Sequence, residues 1–421
     1  MARPKITSVR GVHDILPEET PRWQRVEGLA REIFARYGYS EIRIPAFERT
    51  ELFARSIGEE TDIVNKEMYT FDDKGGESLT LRPEAPASIC RAYVQHALYN
   101  QPGVAKLFFI GPMFRYERPQ AGRLRQFHQI DAEAFGSEDP AVDAEVIVML
   151  ADFLSAAGLK DLSLQINNLG DAESRPAYSR ALQEFLRRET KGMGPEVEAR
   201  VERNPMRFLD SKDPDHQAII ARAPTIDQFW NEACRKHLET VCGHLKGAGI
   251  RYEVNPRLVR GLDYYRLTVF EVTSANLGAQ NAVCGGGRYD GLVEELGGPP
   301  APAIGFAIGM ERLLQLIGGA GEGSAPALDA FIVPLGERAA AEAFALAGEL
   351  RRGGLRADLS FGGGSMKSQM RRADRSGAPY VLILGDQELD KGVVNLKHMK
   401  ESRSEEVPRG EILPKLLADR R

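Results

Sequence analysis

The residues best suited to chemistry lie in two neighbouring stretches whose pattern predicts a long antiparallel hairpin over residues 105–135. In residues 111–117 the two-residue period of a strand places Arg115 and Glu117 on one face. The returning strand carries a second row on one face: Phe127, Gln129, Asp131 and Glu133. An arginine, an aromatic ring and several carboxyl or amide groups therefore point at a common volume. An ordinary hairpin with a solvated polar face would show the same pattern.

Two further segments complete the order of motifs. Residues 21–37 have apolar side chains at helical spacing, and residues 39–47 alternate as a strand, although Pro45 suits only an edge or interface position. Residues 305–312 predict a strand, a glycine turn and a helix whose first turn holds Glu311 and Arg312. Taken alone, this could be a simple strand-to-helix connection.

The chain has 421 residues, and at about 150 residues per domain this length predicts more than one domain. The elements that position the site residues are therefore divided between domains. Residues 170–250 are charged and helix-favouring and predict a helical insertion, after which the sequence returns to a β-rich pattern. Residues 318–328 have the composition of a flexible linker. The chain beyond them alternates strand and helix patterns, which predicts a sheet with crossover helices.

Composition excludes several classes of protein. Hydrophobic residues make up 43% and the net charge is −5, so the chain is globular and its overall charge does not point to nucleic acid. The apolar runs are far shorter than the roughly 20 residues of a membrane span, and without a secretory signal we expect a cytoplasmic protein. The four cysteines lack the spacing of a zinc site. The glycine-rich strings at 284–291 and 362–368 fit neither a dinucleotide-binding nor a P-loop motif.

The ordered motifs resemble those of the class II aminoacyl-tRNA synthetases. The helix and strand ending at Pro45 are similar to the first motif of that class, residues 114–133 to the second and residues 305–313 to the third. Within the class, the resemblance is to bacterial histidyl-tRNA synthetases and covers essentially the full length. It rests on four strings: LTLRPEA at 79–85, GPMFRYERPQAGRLRQFHQ at 111–129, LVRGLDYY at 258–265 and GGGRYDGL at 285–292.

This resemblance implies an architecture. We expect an α+β catalytic domain, with an antiparallel sheet flanked by helices, over residues 1–325, and a helical insertion within it at about 170–250. Residues 326–421 would form an α/β anticodon-binding domain. In the class II synthetases that the chain resembles, the first motif forms a two-fold interface, so we also expect a homodimer.

The resemblance also implies the reaction. ATP would activate L-histidine as histidyl-adenylate, and the histidyl group would then move to the 3′ end of tRNA(His). Arg115 and Arg260 would be catalytic, because they neutralise the carboxylate and the α-phosphate. ATP would be bound by Arg115, Glu117, Arg123, Phe127 and Arg312. We expect Mg²⁺ with ATP, held mainly through the nucleotide, and no metal site made by protein alone.

The amino acid side of the site follows from the same resemblance. Histidine would be bound by residues at family-matching positions, namely Glu84, Ala85, Pro86, Gln129, Glu133, Tyr264 and Tyr265. Both nitrogens of a buried imidazole need partners, and a hydrogen-bonding pocket of this kind rejects apolar amino acids. Tyr264 and Tyr265 could instead pack against a sheet, and the glycines at 285–287 could form a tight turn beneath the site.

The sequence departs from the family pattern at three positions. Ala85 and Pro86 stand where the family usually has glycine and threonine, so a hydroxyl contact to histidine is missing. Asp131 stands where a small residue is common and adds negative charge near the pocket. These departures leave the details of histidine binding open.

Two other functions fit parts of the pattern. One is a non-catalytic regulatory paralogue that binds ATP phosphoribosyltransferase, and the other is an RNA-binding module with a dead active site. The paralogue typically lacks the C-terminal unit and the full arginine set, both of which this chain has. If that unit binds tRNA, the candidate patch is Lys367, Arg371, Arg372 and Arg375, although a solvated helix face would look alike.

Overall fold

A computed structural model describes residues 3, 5–58, 61, 63–118, 123–211, 213–277, 281–318 and 328–419. In these ranges the strands are β1 (Ser40–Glu41), β2 (Phe47–Arg49), β3 (Tyr69–Asp72), β4 (Ser78–Leu81), β5 (Ala105–Phe114), β6 (Gln126–Phe135), β7 (Leu162–Asn168), β8 (Glu253–Val254), β9 (Arg266–Ser274), β10 (Ala282–Arg288), β11 (Ala303–Gly309), β12 (Ala330–Leu335), β13 (Ala357–Leu359), β14 (Tyr380–Gly385), β15 (Val393–His398) and β16 (Arg403–Pro408). The α-helices are α1 (Thr20–Arg36), α2 (Thr50–Ile57), α3 (Pro86–Gln95), α4 (Pro140–Ala156), α5 (Ser174–Glu189), α6 (Pro195–Arg203), α7 (Pro214–Ile220), α8 (Glu232–Gly247), α9 (Leu292–Glu295), α10 (Met310–Ile317), α11 (Glu337–Arg352), α12 (Met366–Arg375), α13 (Asp386–Lys391) and α14 (Ile412–Asp419).

One large sheet organises the first part of the chain. Its strand order is β1-β5-β6-β11-β10-β9-β7-β8, and every neighbouring pair is antiparallel except β1-β5 and β7-β8. The predicted hairpin is confirmed as β5 and β6, and the predicted strand, turn and helix near residue 305 as β11 and α10. The antiparallel sheet expected from the family resemblance is therefore present.

Helices α1 and α4 cover one face of this sheet. The ring of Phe34 in α1 is fully buried, with its centre 5.5 Å from that of Phe108, 5.6 Å from Phe153 and 5.9 Å from Phe306. Burial of one such side chain contributes about 2 kcal/mol. The helix predicted from hydrophobic periodicity at 21–37 therefore closes the core beneath the hairpin.

The prediction of one strand over residues 39–47 was wrong. Only Ser40 and Glu41 pair with β5, and a separate strand, β2, begins at Phe47 in a small sheet of order β2-β4-β3. Pro45 has no N–H to continue a ladder. The carbonyls of Ile44 and Pro45 instead accept hydrogen bonds from Arg82 Nη1 at 2.6 and 2.8 Å.

The predicted helical insertion is confirmed by α5 to α8 and by short 3-10 turns between them. The C-terminal unit has a five-stranded sheet of order β13-β12-β14-β15-β16, with parallel pairing in its first three strands. The predicted alternation of strands and helices is correct up to β14. The antiparallel strands β15 and β16 were not predicted.

The chain divides into two compact units, one of Met1–Leu16 with Arg22–Ala320 and the other of Pro17–Pro21 with Gly321–Arg421. The predicted boundary at residues 325 and 326, and most of the predicted linker, lie outside the described residues. None of the helices in the described ranges has both the length and the apolar character needed to cross a membrane.

Candidate active site

The face of strand β6 predicted from sequence forms one side of a cleft. Phe127, Gln129, Asp131 and Glu133 alternate along the strand, and all four side chains line the cleft, whose volume is about 280 Å³. That volume lies near the lower limit of about 300 Å³ for small-molecule sites in proteins. A continuous strand in the middle of a sheet therefore holds the whole row.

Glycines in the neighbouring strands make room for two of the charged groups. A Cβ on Gly305 in β11 would collide with the carboxylate of Glu133, and one on Gly285 in β10 would collide with the guanidinium of Arg260. The string at 285–287 is part of β10 and not a tight turn. These glycines therefore let charged side chains lie flat against the sheet.

Arg115 enters the cleft from the segment after β5. Its Nε donates to the carbonyl of Pro83 at 2.8 Å, and its Cζ lies 5.3 Å from the centre of the Phe127 ring. The argument from strand period was wrong for this residue, because β5 ends at Phe114. Arg115 and Glu117 nevertheless both line the cleft.

Arg260 lies in the segment between β8 and β9 and also lines the cleft. Its Nη1 donates to Glu271 Oε2 at 2.6 Å, which fixes the guanidinium over Gly285. The buried Nε of Arg260 has no hydrogen-bond partner among the residues that the structure describes. Arg115 and Arg260 therefore bring two positive charges to one cavity.

Two more arginines line the same cavity, Arg312 in the first turn of α10 and Arg123 just before β6. Arg312 Nη1 donates to the carbonyl of Ala282 at 2.8 Å, and Arg123 Nη1 lies 3.1 Å from Glu117 Oε2. Burial lowers the pKa of Arg312, and the positive charge of Arg123 lowers it further. Positive charge is thus concentrated at this end of the cleft, where it favours an anionic ligand.

The other end of the cleft is acidic and buried. Glu84 accepts hydrogen bonds from Ala87 N at 2.8 Å and from Tyr264 Oη at 3.1 Å, and Glu133 accepts one from Tyr289 Oη. Burial raises the pKa of Glu84 and of Glu133, and for Glu133 the negative charge of Asp131 adds to the effect. Buried acceptors of this kind favour a ligand with N–H groups.

Aromatic rings surround the acidic end. The ring centre of Tyr264 lies 4.7 Å from that of Tyr265 and 5.4 Å from that of Tyr289, and all three line the cleft. Burial raises the pKa of Tyr265 to about 12, so its hydroxyl stays protonated at neutral pH. Tyr264 and Tyr265 are therefore buried beside the sheet and in contact with the cavity at the same time.

The start of α3 explains one departure from the family pattern. Pro86 is the first residue of the helix, where a backbone N–H would have no partner within the helix. The carboxylate of Glu84 accepts from Ala87 N and so satisfies the next free donor. Pro86 lines the cleft, whereas Ala85 is fully buried and does not.

Helix α10 is attached to the hairpin through residues outside the cleft face of β6. His128 N donates to Glu311 Oε1 at 2.9 Å, and the His128 ring meets the ring of Trp23 edge to face at 4.8 Å. These contacts make His128 a packing residue between the hairpin, α10 and α1. They also hold Arg312, the next residue after Glu311, beside the cavity.

The structure brings together every predicted site residue except Ala85. Sequence reasoning missed Tyr289, which belongs to the GGGRYDGL string. It also missed Glu271, which lies on β9, a strand that holds none of the predicted site residues. It also missed Arg82, whose guanidinium links three backbone carbonyls behind the cleft and lies 4.7 Å from the Phe109 ring centre. Because Tyr289 belongs to the GGGRYDGL string, that motif could have identified it as a site residue.

Comparison with known protein families gives two matches that together span most of the chain. The family model of histidyl-tRNA synthetase matches residues 11–313, and the model of the anticodon binding domain matches residues 329–419. The first of these covers more than half of the chain. It contains every residue placed in the cleft above.

Individual proteins give the same result. A histidine–tRNA ligase from Maridesulfovibrio salexigens is 50% identical over 404 residues, which are 96% of this chain and 97% of that protein. One from Geobacter sulfurreducens is 50% identical over 403 residues, with 96% and 97% covered. Among solved structures, apo histidyl-tRNA synthetase of S. aureus matches with a TM-score of 0.82 and 39% identity, over 98% of this chain and 100% of that one.

Proposed function

This chain belongs to the histidyl-tRNA synthetase family, and from that premise we propose that it is a histidine–tRNA ligase. It uses ATP to convert L-histidine to histidyl-adenylate, and it then transfers the histidyl group to the 3′ end of tRNA(His). The observation that carries this proposal is the division of charge along the cleft. Arg115, Arg123 and Arg312 cluster near Phe127 at one end, and buried carboxyl groups with tyrosines surround the other, where Arg260 lies beside Tyr265.

The reaction explains why two arginines meet in one cavity. A carboxylate oxygen of histidine forms a bond to the α-phosphorus of ATP, and the bond from that phosphorus to the bridging oxygen breaks as pyrophosphate leaves. Arg115 binds the carboxylate and the α-phosphate, and Arg260 binds the α-phosphate from the other side. Both act by positioning and by neutralising charge, without a covalent intermediate on the protein.

The remaining residues of the arginine end bind ATP. The Phe127 ring stacks on adenine, the carboxylate of Glu117 accepts from its amino group, and Arg123 and Arg312 bind the phosphates. Bound Mg²⁺ neutralises phosphate charge and is held through ATP.

The acidic end binds histidine. Glu84 and Gln129 accept from the α-amino group, and Glu133 and the tyrosines 264 and 265 satisfy the imidazole. Ala85 and Pro86 lie at the start of α3 beside Glu84, and Pro86 forms part of the wall against which the amino acid lies. A pocket built from buried hydrogen-bonding groups rejects amino acids that leave those groups unpaired.

The second domain of the proposed ligase, residues 326–421, binds the anticodon arm of tRNA(His). The catalytic domain then comprises residues 1–325 with the insertion at about 170–250. The protein acts as a homodimer in the cytoplasm. Two exposed and mutually contacting rings, Phe47 and Phe71, lie on the small sheet that follows α1 and support the dimer, because such apolar pairs are suited to an interface.

The regulatory paralogue is not favoured. The chain retains Arg115, Arg260 and Arg312 in the cleft and a C-terminal region that matches the anticodon binding domain. Full-length relatives at 50% identity are histidine–tRNA ligases.

The test is exchange of labelled pyrophosphate into ATP, measured without tRNA for each of the twenty amino acids. We expect exchange with L-histidine alone, followed by charging of tRNA(His) when that tRNA is added. Exchange with another amino acid, or none with histidine in a folded protein, would contradict the proposed function. Static light scattering on the same preparation measures the dimer independently.

A further inference from the structure

Asp131 is a buried acidic residue in the cleft to which the reaction described above gives no role. It lies at the middle of β6, between Gln129 and Glu133 on the same face, and its strand neighbours are Phe109 in β5 and Ala307 in β11. The residue is fully buried, and within the described chain neither carboxylate oxygen has a hydrogen-bond partner. An unpartnered carboxylate at such a place is costly, so a partner from outside the chain is expected.

Among the described residues, no cation donates a hydrogen bond to this carboxylate. Arg82 and Arg115 are the arginines whose charges act on Asp131. Arg82 donates through Nε to the carbonyl of Pro112 at 2.8 Å and through Nη1 to two further carbonyls. Arg115 donates through Nε to the carbonyl of Pro83. Both guanidinium groups are thus held by backbone oxygens, with no hydrogen bond to Asp131.

The neighbouring carboxyl groups differ from Asp131 in this respect. Both oxygens of Glu84 accept hydrogen bonds from the protein, and one oxygen of Glu133 does. Burial raises the pKa of Asp131 well above its usual value, and the negative charge of Glu84 raises it further. A positively charged ligand would reverse both effects by making the ionised carboxylate favourable.

We propose that Asp131 binds the α-ammonium group of the amino acid substrate, as a further binding residue beside Glu84 and Gln129. This inference rests on the proposed histidine–tRNA ligase function. The order of groups along β6 supports the α-ammonium, and not the imidazole, as the group that Asp131 binds. Arg115 and Phe127 lie at the end where the substrate carboxylate reacts, and Glu133 lies with Tyr289 at the other end. The α-carbon that carries the ammonium lies between carboxylate and ring in the substrate, as Asp131 lies between these two ends.

The experiment compares two ligands in the wild-type protein and in Asp131→Asn, which keeps the shape and removes the charge. L-Histidine carries the α-ammonium, and 3-(imidazol-4-yl)propanoate has the same ring and carboxylate without it. The KM for histidine and the inhibition constant of the propanoate are both measured by pyrophosphate exchange. We expect the substitution to raise the KM for histidine about tenfold to a hundredfold, the range for a charged hydrogen bond. The inhibition constant and the KM for ATP should stay within about twofold.

Other outcomes would overturn the inference. Equal weakening of both ligands would mean that Asp131 acts on the ring or only shapes the pocket, and no change in either would mean that it binds neither. Asp131→Gly, which restores a small residue, provides a second test if the asparagine variant does not fold, and the same pattern is expected. Absence of histidine-dependent exchange in the wild-type protein would refute the proposed function itself, which separates the two failures.

Discussion

Replacing Gly285 with alanine should displace Arg260 while leaving the fold intact. A Cβ at this position would approach Nη1, Nη2 and Cζ of the Arg260 guanidinium to well under 3.0 Å, so the guanidinium must move. Gly285 lies inside β10, paired with Glu271 and Ala307, and its φ is not in the left-handed region. Alanine therefore fits the backbone and by itself stabilises a protein by about 0.4 to 1 kcal/mol.

The loss should appear in catalysis. If Arg260 stabilises the charge that develops at the α-phosphate, its displacement removes a preorganised donor. Such a donor is worth about 2.7 to 4 kcal/mol, or about a hundredfold to a thousandfold in kcat. The stability of the variant should change by less than about 1 kcal/mol, because the group that must move is the end of a flexible side chain.

The assay is kcat for histidine-dependent pyrophosphate exchange, with the free energy of unfolding measured in urea. Gly291→Ala is the matched control, because the nearest atom to a Cβ there is Glu295 Oε1 at an ordinary 3.9 Å. We expect that control to keep wild-type kcat. The double variant Gly285→Ala with Arg260→Ala should be no slower than Arg260→Ala alone. A wild-type kcat in Gly285→Ala, or additive losses in the double variant, would refute the reasoning.

Three further predictions test the fold and the second domain. Arg288→Met should lower the free energy of unfolding in urea by about 3 to 5 kcal/mol, because it removes the guanidinium that pairs with the buried carboxylate of Asp143. Burial raises the pKa of Asp171, but hydrogen bonds, first from Ser174 N, lower it to about 2. The stability advantage of the wild type over Asp171→Asn should therefore be present above about pH 4 and disappear as pH falls to about 2, measured by thermal unfolding. Arg371→Ala, at an exposed position of α12, should raise the KM for tRNA(His) severalfold and leave pyrophosphate exchange unchanged; an unchanged KM would count against the patch.

The sequence predicts which face of a strand carries a side chain better than it predicts which distant residue that side chain contacts. Alternation along β6 identified Phe127, Gln129, Asp131 and Glu133 correctly, because a strand in a two-sided sheet must present them on one face. It could not show that Tyr289 would donate to Glu133, since that contact joins residues 156 positions apart in the chain. Backbone periodicity carries no information on such pairings.

The failed prediction of a strand at 39–47 has the same cause. Its alternation is real, but the carbonyls of Ile44 and Pro45 are taken by Arg82, a residue that the local pattern does not include. The candidate patch on α12 shows a similar effect. Arg372 donates to the carbonyls of Phe361 and Gly363 at 2.7 and 2.8 Å, so its guanidinium also holds the preceding loop in place.

The inserted helices are the clearest case in which tertiary contacts change the interpretation. From sequence they are an addition to the catalytic domain, yet they hold the segment that carries Arg260, Tyr264 and Tyr265. Arg175 in α5 donates to the carbonyls of Asp263 and Tyr265 at 3.2 and 2.8 Å, and Asn204 donates to the Asp263 carboxylate at 2.8 Å. Because these bonds fix the backbone between the two ends of the cleft, the geometry of phosphate and amino acid binding depends on the insertion as much as on the sheet.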